Sequence, residues 1–324
     1  MPRRHVLTAQ EEQLATDAAT STPTLQSPQP WRFTFVDDRL EVWAREEPAH
    51  GDDPSGRLRA ISCGAATYDA ALAIRAAGHE AWVQVQPTPA AAGLAAVVHI
   101  GVRRPPAPED LTLWDAIQER PVDPGPYRDW RLPFSLITRL EDAAEAEGGY
   151  FRVLTSTERE RVRKLFAEGG EDGEAGGDGE SGGDGESGGD GESGGDGESG
   201  GDQVIPAQPG TPPAYRAADL AADLGSEHPL TLAVLTTPGN SRKDWVRTGM
   251  ALERVLLTAL LHGVVGVFLE AAAEPLCERA RVRGTPMGVD HPQLVLRLGY
   301  PRRDIARTPR RTTAQAASTG RPGR

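Results

Sequence analysis

The chain has 324 residues and a formal net charge of −12, a length that accommodates one large domain or two ordinary ones with a buried core. Residues 168–202 hold 13 Asp and Glu and no Lys or Arg, so the rest of the chain carries the remaining +1. This near-neutral balance gives no indication of a nucleic-acid partner. Cys63 and Cys277 lack CxxC spacing and indicate small core residues in a reducing compartment.

No segment of the sequence has the pattern of an export signal or a membrane span. The N-terminus, MPRRHVLTAQEEQL, turns polar at once, which is atypical of a signal peptide. The longest apolar stretch, residues 255–269, is interrupted by a threonine, a histidine and two glycines, and it is shorter than the roughly 20 residues that span a bilayer. We therefore expect a cytoplasmic protein without a membrane partner.

The first part of the chain alternates helix and strand patterns. A helix is predicted from about Thr8 to Ala19, followed by a loop that contains Gln29, Pro30 and Trp31 and by strands WRFTFV and LEVWA. A helix that begins at Gly64 comes next, and then two more strands. A tryptophan at the start of a strand usually packs over the strand end, but a turn of this kind can also present amide groups to a flat ligand.

The second part of the chain repeats this alternation. Helices are predicted from Leu111 to Ile117 and from Ser135 to Glu147, followed by strand YFRVL. After an acidic insert come strand LTLAVLTT, a helix that begins at Gly249 and strand QLVLRLG. Helices interspersed with short β-branched strands predict an α+β fold with mixed sheets flanked by helices.

The acidic insert contains four copies of the hexapeptide GGDGES in residues 176–199. GDGESG at each junction matches G-x-G-x-x-G, but a phosphate loop needs a preceding strand and a following helix, and these carboxylates would repel phosphate. Calcium-binding glycine repeats carry an apolar residue that this repeat lacks, which leaves only weak cation binding open. We expect a disordered linker, because nothing in the repeat can be buried.

Two segments of the chain resemble each other. GAATYDAALAIRAAG, residues 64–78, and GMALERVLLTALLHG, residues 249–263, both hold glycines 14 positions apart and are followed by a β-prone run. AVVHIGVRR and VLRLGYPRR form a second matching pair further along. We infer two related halves in one chain that imitate a homodimer, so a groove between the halves lies within one chain. A monomer and a further homodimer both remain open.

The predicted division of the chain follows from the two halves and the insert. The N-terminal half covers residues 1–106, and residues 107–166 form the first part of the C-terminal half. The acidic glycine-rich insert covers residues 167–214, and residues 215–311 complete the C-terminal half. Residues 312–324 form a tail that we expect to be disordered.

The motifs QPWRF, ISCGAA, DWVRTGMALERVLLTAL, AAAEPLCERA, LVLRLGY and TPRR occur in this order between residues 8 and 311. In this order and spacing they resemble the Acg-type branch of the flavin-dependent nitroreductase superfamily. The resemblance implies a nitroreductase-like α+β fold in which two degenerate halves imitate the obligate dimer, with FMN bound between them. It also implies an NAD(P)H-dependent oxidoreductase that acts on small electron-poor compounds such as nitroaromatics or quinones. The chemistry then takes place on the flavin, with no catalytic side chain and no metal.

The resemblance also implies which residues hold the flavin. The turn around QPW lies against the isoalloxazine, an arginine-bearing segment binds the phosphate, and C-terminal arginines close over it. Guanidinium groups suit this role because they form paired, charge-assisted hydrogen bonds to phosphate. Arginines near helix ends and in polar tails often have no ligand, so that alternative stays open for this set. The implied cofactor-binding residues are Ser27, Gln29, Pro30, Trp31, Arg120, Arg310 and Arg311.

The sequence departs from the family pattern at two of these places. The string QSP, residues 26–28, stands where the branch has His-Asn-Thr, and serine cannot copy the paired hydrogen bonds of an amide. The segment ERPVDP, residues 119–124, has one arginine where the family has two or three. These departures keep a second hypothesis open: a degenerate relative that binds flavin weakly or not at all and acts as a flavin-sequestering or protein-interaction module.

Overall fold

A computed structural model of the chain describes residues 7–22, 29–45, 53, 55–86, 93–120, 127–160, 231–268 and 291–302. The predicted acidic insert and C-terminal tail lie outside these residues. The helices are α1 (Ala9–Thr20), α2 (Arg57–Ala76), α3 (Pro108–Gln118), α4 (Phe134–Glu145) and α5 (Arg242–Leu261). The strands are β1 (Trp31–Val36), β2 (Arg39–Ala44), β3 (His79–Val85), β4 (Leu94–Arg103), β5 (Tyr150–Val153), β6 (Thr231–Thr237), β7 (Val265–Phe268) and β8 (His291–Gly299).

The strands form two four-stranded sheets with the same topology. Their orders are β1-β2-β4-β3 and β5-β6-β8-β7, and all hydrogen-bonded neighbours are antiparallel. The predicted α+β fold with two similar halves is confirmed. The prediction of mixed sheets is wrong for the described strands, because the last strand of each half lies between the second and third strands and is antiparallel to both.

An irregularity in the strand pairing recurs in both halves. The register shifts between Val42 and Trp43, where β2 pairs with β4, and between Leu235 and Thr236, where β6 pairs with β8. These are equivalent strand pairs in the two sheets. Because bulges are features that related chains retain, the matching positions agree with the duplication inferred from the sequence.

Helices α2 and α5 cross at two glycines. A Cβ atom on Gly64 would overlap the carbonyl oxygen of Val246, and a Cβ atom on Gly249 would overlap the carbonyl oxygen of Ile61. Val246 lies three residues before Gly249, and Ile61 lies three residues before Gly64. The two contacts are therefore equivalent, as expected for halves related by an approximate two-fold axis. Only a residue without Cβ permits this approach.

The crossing corrects the predicted helix starts. The sequence predicts helices that begin at the two central glycines, but α2 begins at Arg57 and α5 at Arg242, so both glycines are internal. The predicted ends are confirmed: Gly78 (φ 87°) and Gly263 (φ 70°) follow the helices in the left-handed conformation that glycine favours. Gly64 and Gly249 therefore mark the point where the two helices pack closely, and not the starts of the helices.

The apolar core has two main clusters that share the crossing helices. One cluster joins the first sheet to α1 and α2 and includes Val246 from α5. The other joins the second sheet to α4 and α5 and includes Leu58 and Ile61 from α2. The halves are therefore held together by shared burial of apolar side chains. Within the described ranges, no helix has both the length and the hydropathy to cross a membrane.

Candidate cofactor site

The turn that the resemblance assigns to a flavin lies directly before β1. Gln29 has φ 30°, which is uncommon for a residue other than glycine and is often found at functional positions. The carbonyl oxygen of Pro30 accepts a hydrogen bond from the Arg45 amide at 2.8 Å and one from the Cys63 thiol, with Sγ 3.8 Å away. The turn is thereby fixed between the end of β2 and the middle of α2.

The indole of Trp31 is a core group of the first half. Its side chain is 3% exposed, and its ring lies 6.5 Å from that of Phe33, centroid to centroid. The packing alternative that the sequence leaves open therefore describes this side chain. The cofactor role that the resemblance implies for Trp31 stays a prediction, and its main chain stands beside Gln29 and Pro30 at the same turn.

Arg120 follows α3 and lies between the two halves. Its Nη1 donates a hydrogen bond to the carbonyl oxygen of Ser21 at 2.8 Å, and its Nη2 donates to Asp69 Oδ2 at 3.2 Å. Nη2 also donates to Glu253 Oε1. Asp69 belongs to α2 and Glu253 to α5, and both carboxylates are fully buried, while Arg120 is 11% exposed. Arg120 thus links acidic side chains of both halves.

The charges of this cluster are unequal, because one guanidinium faces two carboxylates. Burial raises the pKa of Glu253 to about 8, and the charge of Asp69 adds to the rise while Arg120 opposes it. Burial also raises the pKa of Asp69, against Arg120 and a hydrogen bond from the Thr22 hydroxyl. We infer that Glu253 holds a proton at neutral pH and that Asp69 and Arg120 form the ion pair.

This geometry bears on the phosphate role that the resemblance implies for Arg120. A phosphate next to the guanidinium would also lie next to two buried carboxylate groups, one of them ionised, and would be repelled. Among the ion pairs of the described residues, Arg120 is the only cation that is paired with Asp69 or Glu253. The phosphate role of Arg120 stays a prediction that competes with this structural role.

A second group of arginines lies close to the turn or to Cys63 beneath it. Arg45 Nε donates to the carbonyl oxygen of Trp31 at 3.1 Å, and Arg59 Nη1 donates to the carbonyl oxygen of Arg45 at 3.1 Å. Burial raises the pKa of Cys63 to about 12, against the charges of Arg242 and Arg59. These arginines belong to none of the motifs that carry the family resemblance, and the place of Arg242 also depends on the crossing of α2 and α5.

Three of the residues that the resemblance assigns to the cofactor cannot be compared with the structure. Ser27, Arg310 and Arg311 lie outside the described residues, so their roles stay predictions. The strand predicted after Gly263 is present as β7.

The sequence is similar to that of proteins named as NAD(P)H nitroreductases. No family model matches the chain. The chain is 27% identical over 293 residues to "Putative NAD(P)H nitroreductase Rv3131" of Mycobacterium tuberculosis H37Rv, with 87% of this chain and 83% of the relative aligned. The counterpart in strain CDC 1551 matches equally. This similarity supports the nitroreductase-like superfamily, and the Acg-type branch stays a prediction.

Solved structures with related names superpose on part of the chain. The FMN-dependent nitroreductase NfnB of Mycobacterium smegmatis, in complex with NADPH, is 14% identical with a TM-score of 0.37, covering 66% of this chain and 99% of that chain. A nitroreductase of Bacteroides fragilis with bound FMN is 13% identical with a TM-score of 0.35, covering 65% and 98%. These scores are low, so the superfamily assignment depends on the sequence similarity.

Proposed function

We propose that the protein is an FMN-dependent NAD(P)H oxidoreductase of the nitroreductase type, in the Acg-type branch, that reduces small electron-poor compounds such as nitroaromatics or quinones. The main support is the similarity to a protein named as an NAD(P)H nitroreductase, which extends over 87% of this chain. The strained Gln29–Pro30 turn, fixed against α2 near the crossing of the halves, agrees with this proposal. Bound FMN would supply the redox chemistry, accepting a hydride from NAD(P)H and passing electrons to the second substrate.

The part of the chain in this activity is to bind the cofactor and hold it in place. Gln29 and Pro30 would contact the ring system, and Ser27, Arg310 and Arg311 are further proposed contacts. The buried Nε of Arg242 has no hydrogen-bond acceptor within the residues that the structure describes, and an anionic cofactor would satisfy it. The donors present around the turn therefore fit a flavin phosphate.

Cys63 would serve as packing below the turn and not as a nucleophile. Burial raises the pKa of its thiol to about 12, so the thiol stays protonated at neutral pH, and the thiolate is the reactive form. Its hydrogen bond to the Pro30 carbonyl would hold the turn in place. Proton transfer from this group is not needed, because the flavin performs the chemistry in the proposed reaction.

A second function is favoured by one observation. Arg120, the one arginine in the segment that the resemblance assigns to the phosphate, is paired with Asp69 and Glu253. A chain that has turned this arginine to a structural role would bind flavin weakly or not at all. It would then act as a flavin-sequestering or protein-interaction module that keeps the fold.

The two functions are separated by flavin binding and turnover. The absorption spectrum of the purified chain is recorded before and after addition of FMN, and bound flavin is titrated. We expect near-stoichiometric FMN, followed by oxidation of NADH or NADPH that depends on FMN and on a nitroaromatic or quinone acceptor. Absence of binding at tens of micromolar FMN would refute the oxidoreductase and favour the second function.

A further inference from the structure

We propose that the cofactor phosphate is bound by Arg45, Arg59 and Arg242 and not by Arg120. This inference rests on the proposed function and assigns the residues that distinguish a phosphorylated flavin from an unphosphorylated one. Arg45 and Arg59 come from the first half and Arg242 from the second. The site would therefore be completed by both halves of one chain.

Arg45 and Arg59 are connected to the turn through main-chain hydrogen bonds. Arg45 donates its amide to the Pro30 carbonyl at 2.8 Å and its Nε to the Trp31 carbonyl at 3.1 Å. Arg59 donates Nη1 to the Arg45 carbonyl at 3.1 Å. Because Nε of Arg45 takes the main-chain contact, the outer Nη atoms of this exposed side chain point away from that bond in the fixed plane of the guanidinium.

Arg242 lies at the start of α5, the helix that crosses α2 beside the turn. It lies one helical turn before Val246, on the same helix face, and the Val246 carbonyl abuts Gly64 of α2. The charges of Arg242 and Arg59 both oppose the rise in the pKa of Cys63, so both guanidinium groups lie within electrostatic reach of this thiol. The thiol is hydrogen-bonded to the Pro30 carbonyl.

The unsatisfied donor is the feature that points to an anion. Nε of Arg242 is buried, and the part of the chain that the structure describes offers it no acceptor. Buried donors are nearly always paired, so such an atom calls for a partner such as a ligand oxygen. A phosphate oxygen is a strong acceptor and would neutralise the positive charge that collects at the turn.

Two described carboxylates at the starts of α2 and α5 are not the acceptor of the Arg242 Nε donor. Asp53 accepts the amides of Leu58 and Arg59 at 3.0 Å each, at the start of α2. Asp244 accepts the Ser241 amide at 2.9 Å, at the start of α5. Both carboxylates therefore cap helix N-termini, where they pair with main-chain donors.

The inference is tested by comparing the affinities of the full chain for FMN and for riboflavin, which lacks the phosphate. Flavin fluorescence quenching gives both dissociation constants. We expect Arg242→Gln to weaken FMN binding about 10-fold or more, the loss expected for one charge-assisted contact, and to leave riboflavin binding unchanged. Lys243→Gln is the matched control, since it removes one charge from the exposed side of the same helical turn and should not alter the ratio.

A second variant keeps the test valid if Arg242→Gln does not fold. Arg45→Gln changes an exposed side chain and should lower the ratio of FMN to riboflavin affinity in the same direction. If the ratio of FMN to riboflavin affinity is unchanged in Arg242→Gln and Arg45→Gln but falls in Arg120→Gln, the inference is overturned and the proposed function stays intact. A wild-type chain that binds neither flavin would overturn both.

Discussion

The two halves have the same topology but different outer sheet surfaces. Trp82 in β3 pairs with His99 in β4, and Val267 in β7 pairs with Arg297 in β8, at equivalent positions of the two sheets. Trp82 is 53% exposed, whereas Val267 is 3% exposed. The strand sequences agree with this contrast, because β3, HEAWVQV, mixes polar and apolar residues and is mostly half-buried or exposed, whereas β7, VGVF, is apolar apart from its glycine and mostly buried. The two halves therefore share the strand order and differ in how far equivalent strand positions are exposed.

The halves also differ in charge at the helix crossing. Asp69 and Arg254 each lie five residues after the central glycine of their helix, so the charge at this position is opposite in the two halves. Asp69 is paired with Arg120, whereas Arg254 donates to Glu147 at 2.9 Å and to Glu109 at 2.8 Å. Identical subunits of a homodimer would carry the same charge twice. A duplicated chain can therefore build an asymmetric interface and keep one specialised site.

The largest effect should come from the buried ion cluster. Arg120→Met removes the cation that faces Asp69 and Glu253 and should lower the free energy of unfolding by about 3–5 kcal/mol, because a buried carboxylate loses its partner. Arg39→Met is the control, since Arg39 forms an exposed pair with Glu41 and should change it by about 1 kcal/mol or less. Denaturant unfolding measures both, and equal losses would contradict an asymmetric structural role for Arg120.

The glycine crossing should be sensitive in both halves alike. Gly64→Ala and Gly249→Ala each place a Cβ against a backbone carbonyl, and each should lower the free energy of unfolding by about 3 kcal/mol through overpacking. Gly263→Ala is the control, because no atom lies within 4 Å of its Cβ position and only the positive φ is strained, at about 1 kcal/mol. A large loss in one crossing variant alone would show that the crossing is not two-fold.

The outer faces of the sheets can be compared with one variant in each. Val267→Ala should lower the free energy of unfolding by about 2 kcal/mol, because the side chain is buried. Trp82→Ala removes a larger but half-exposed side chain that stacks on His99, with ring centroids 5.2 Å apart, and should cost about 1 kcal/mol. Thermal unfolding of both variants in parallel shows which one loses more stability. A greater loss for Trp82→Ala than for Val267→Ala would contradict the difference in burial between the two sheets.

The pH dependence of stability should report on Glu253. Its folded pKa of about 8 lies above the ordinary value of 4.5, so the folded chain holds a proton that the unfolded chain releases between these values. This contribution is complete below the ordinary pKa and is lost as the pH rises through about 8, with a slope of up to about 1.4 kcal/mol per pH unit. Glu253→Gln should reduce the slope, whereas Glu145→Gln, on the exposed side of α4, should leave it unchanged.

A slope that persists in Glu253→Gln at its wild-type value would show that another group holds the proton. Asp69 is the group that would be examined next, because burial raises its pKa as well.

Much of the fold was predictable from local sequence patterns. Thr8 caps α1, one residue before its first residue Ala9, and strands WRFTFV and LEVWA correspond to β1 and most of β2. Polar caps and alternating apolar residues are local signals. The antiparallel order of the sheets was not predictable in this way, because it depends on where the last strand of each half enters the sheet.

The candidate site was predictable only in part. The turn at Gln29 and Pro30 was found from the family motif, and the structure gives it an unusual backbone. The partners of Arg120 were missed because Asp69 and Glu253 stand in ordinary helical patterns, and a single acidic residue in a helix usually faces solvent. Their burial follows from the crossing of α2 and α5, which local sequence does not encode.

Flavin binding by the wild-type chain tests the central claim most directly, because both the oxidoreductase function and the phosphate site depend on it. FMN and riboflavin are titrated in parallel against the full chain, with bound flavin measured from the absorption spectrum. The account predicts one tightly bound FMN for each chain and weaker riboflavin. A chain that stays colourless and binds neither flavin would contradict a cofactor site between the two halves.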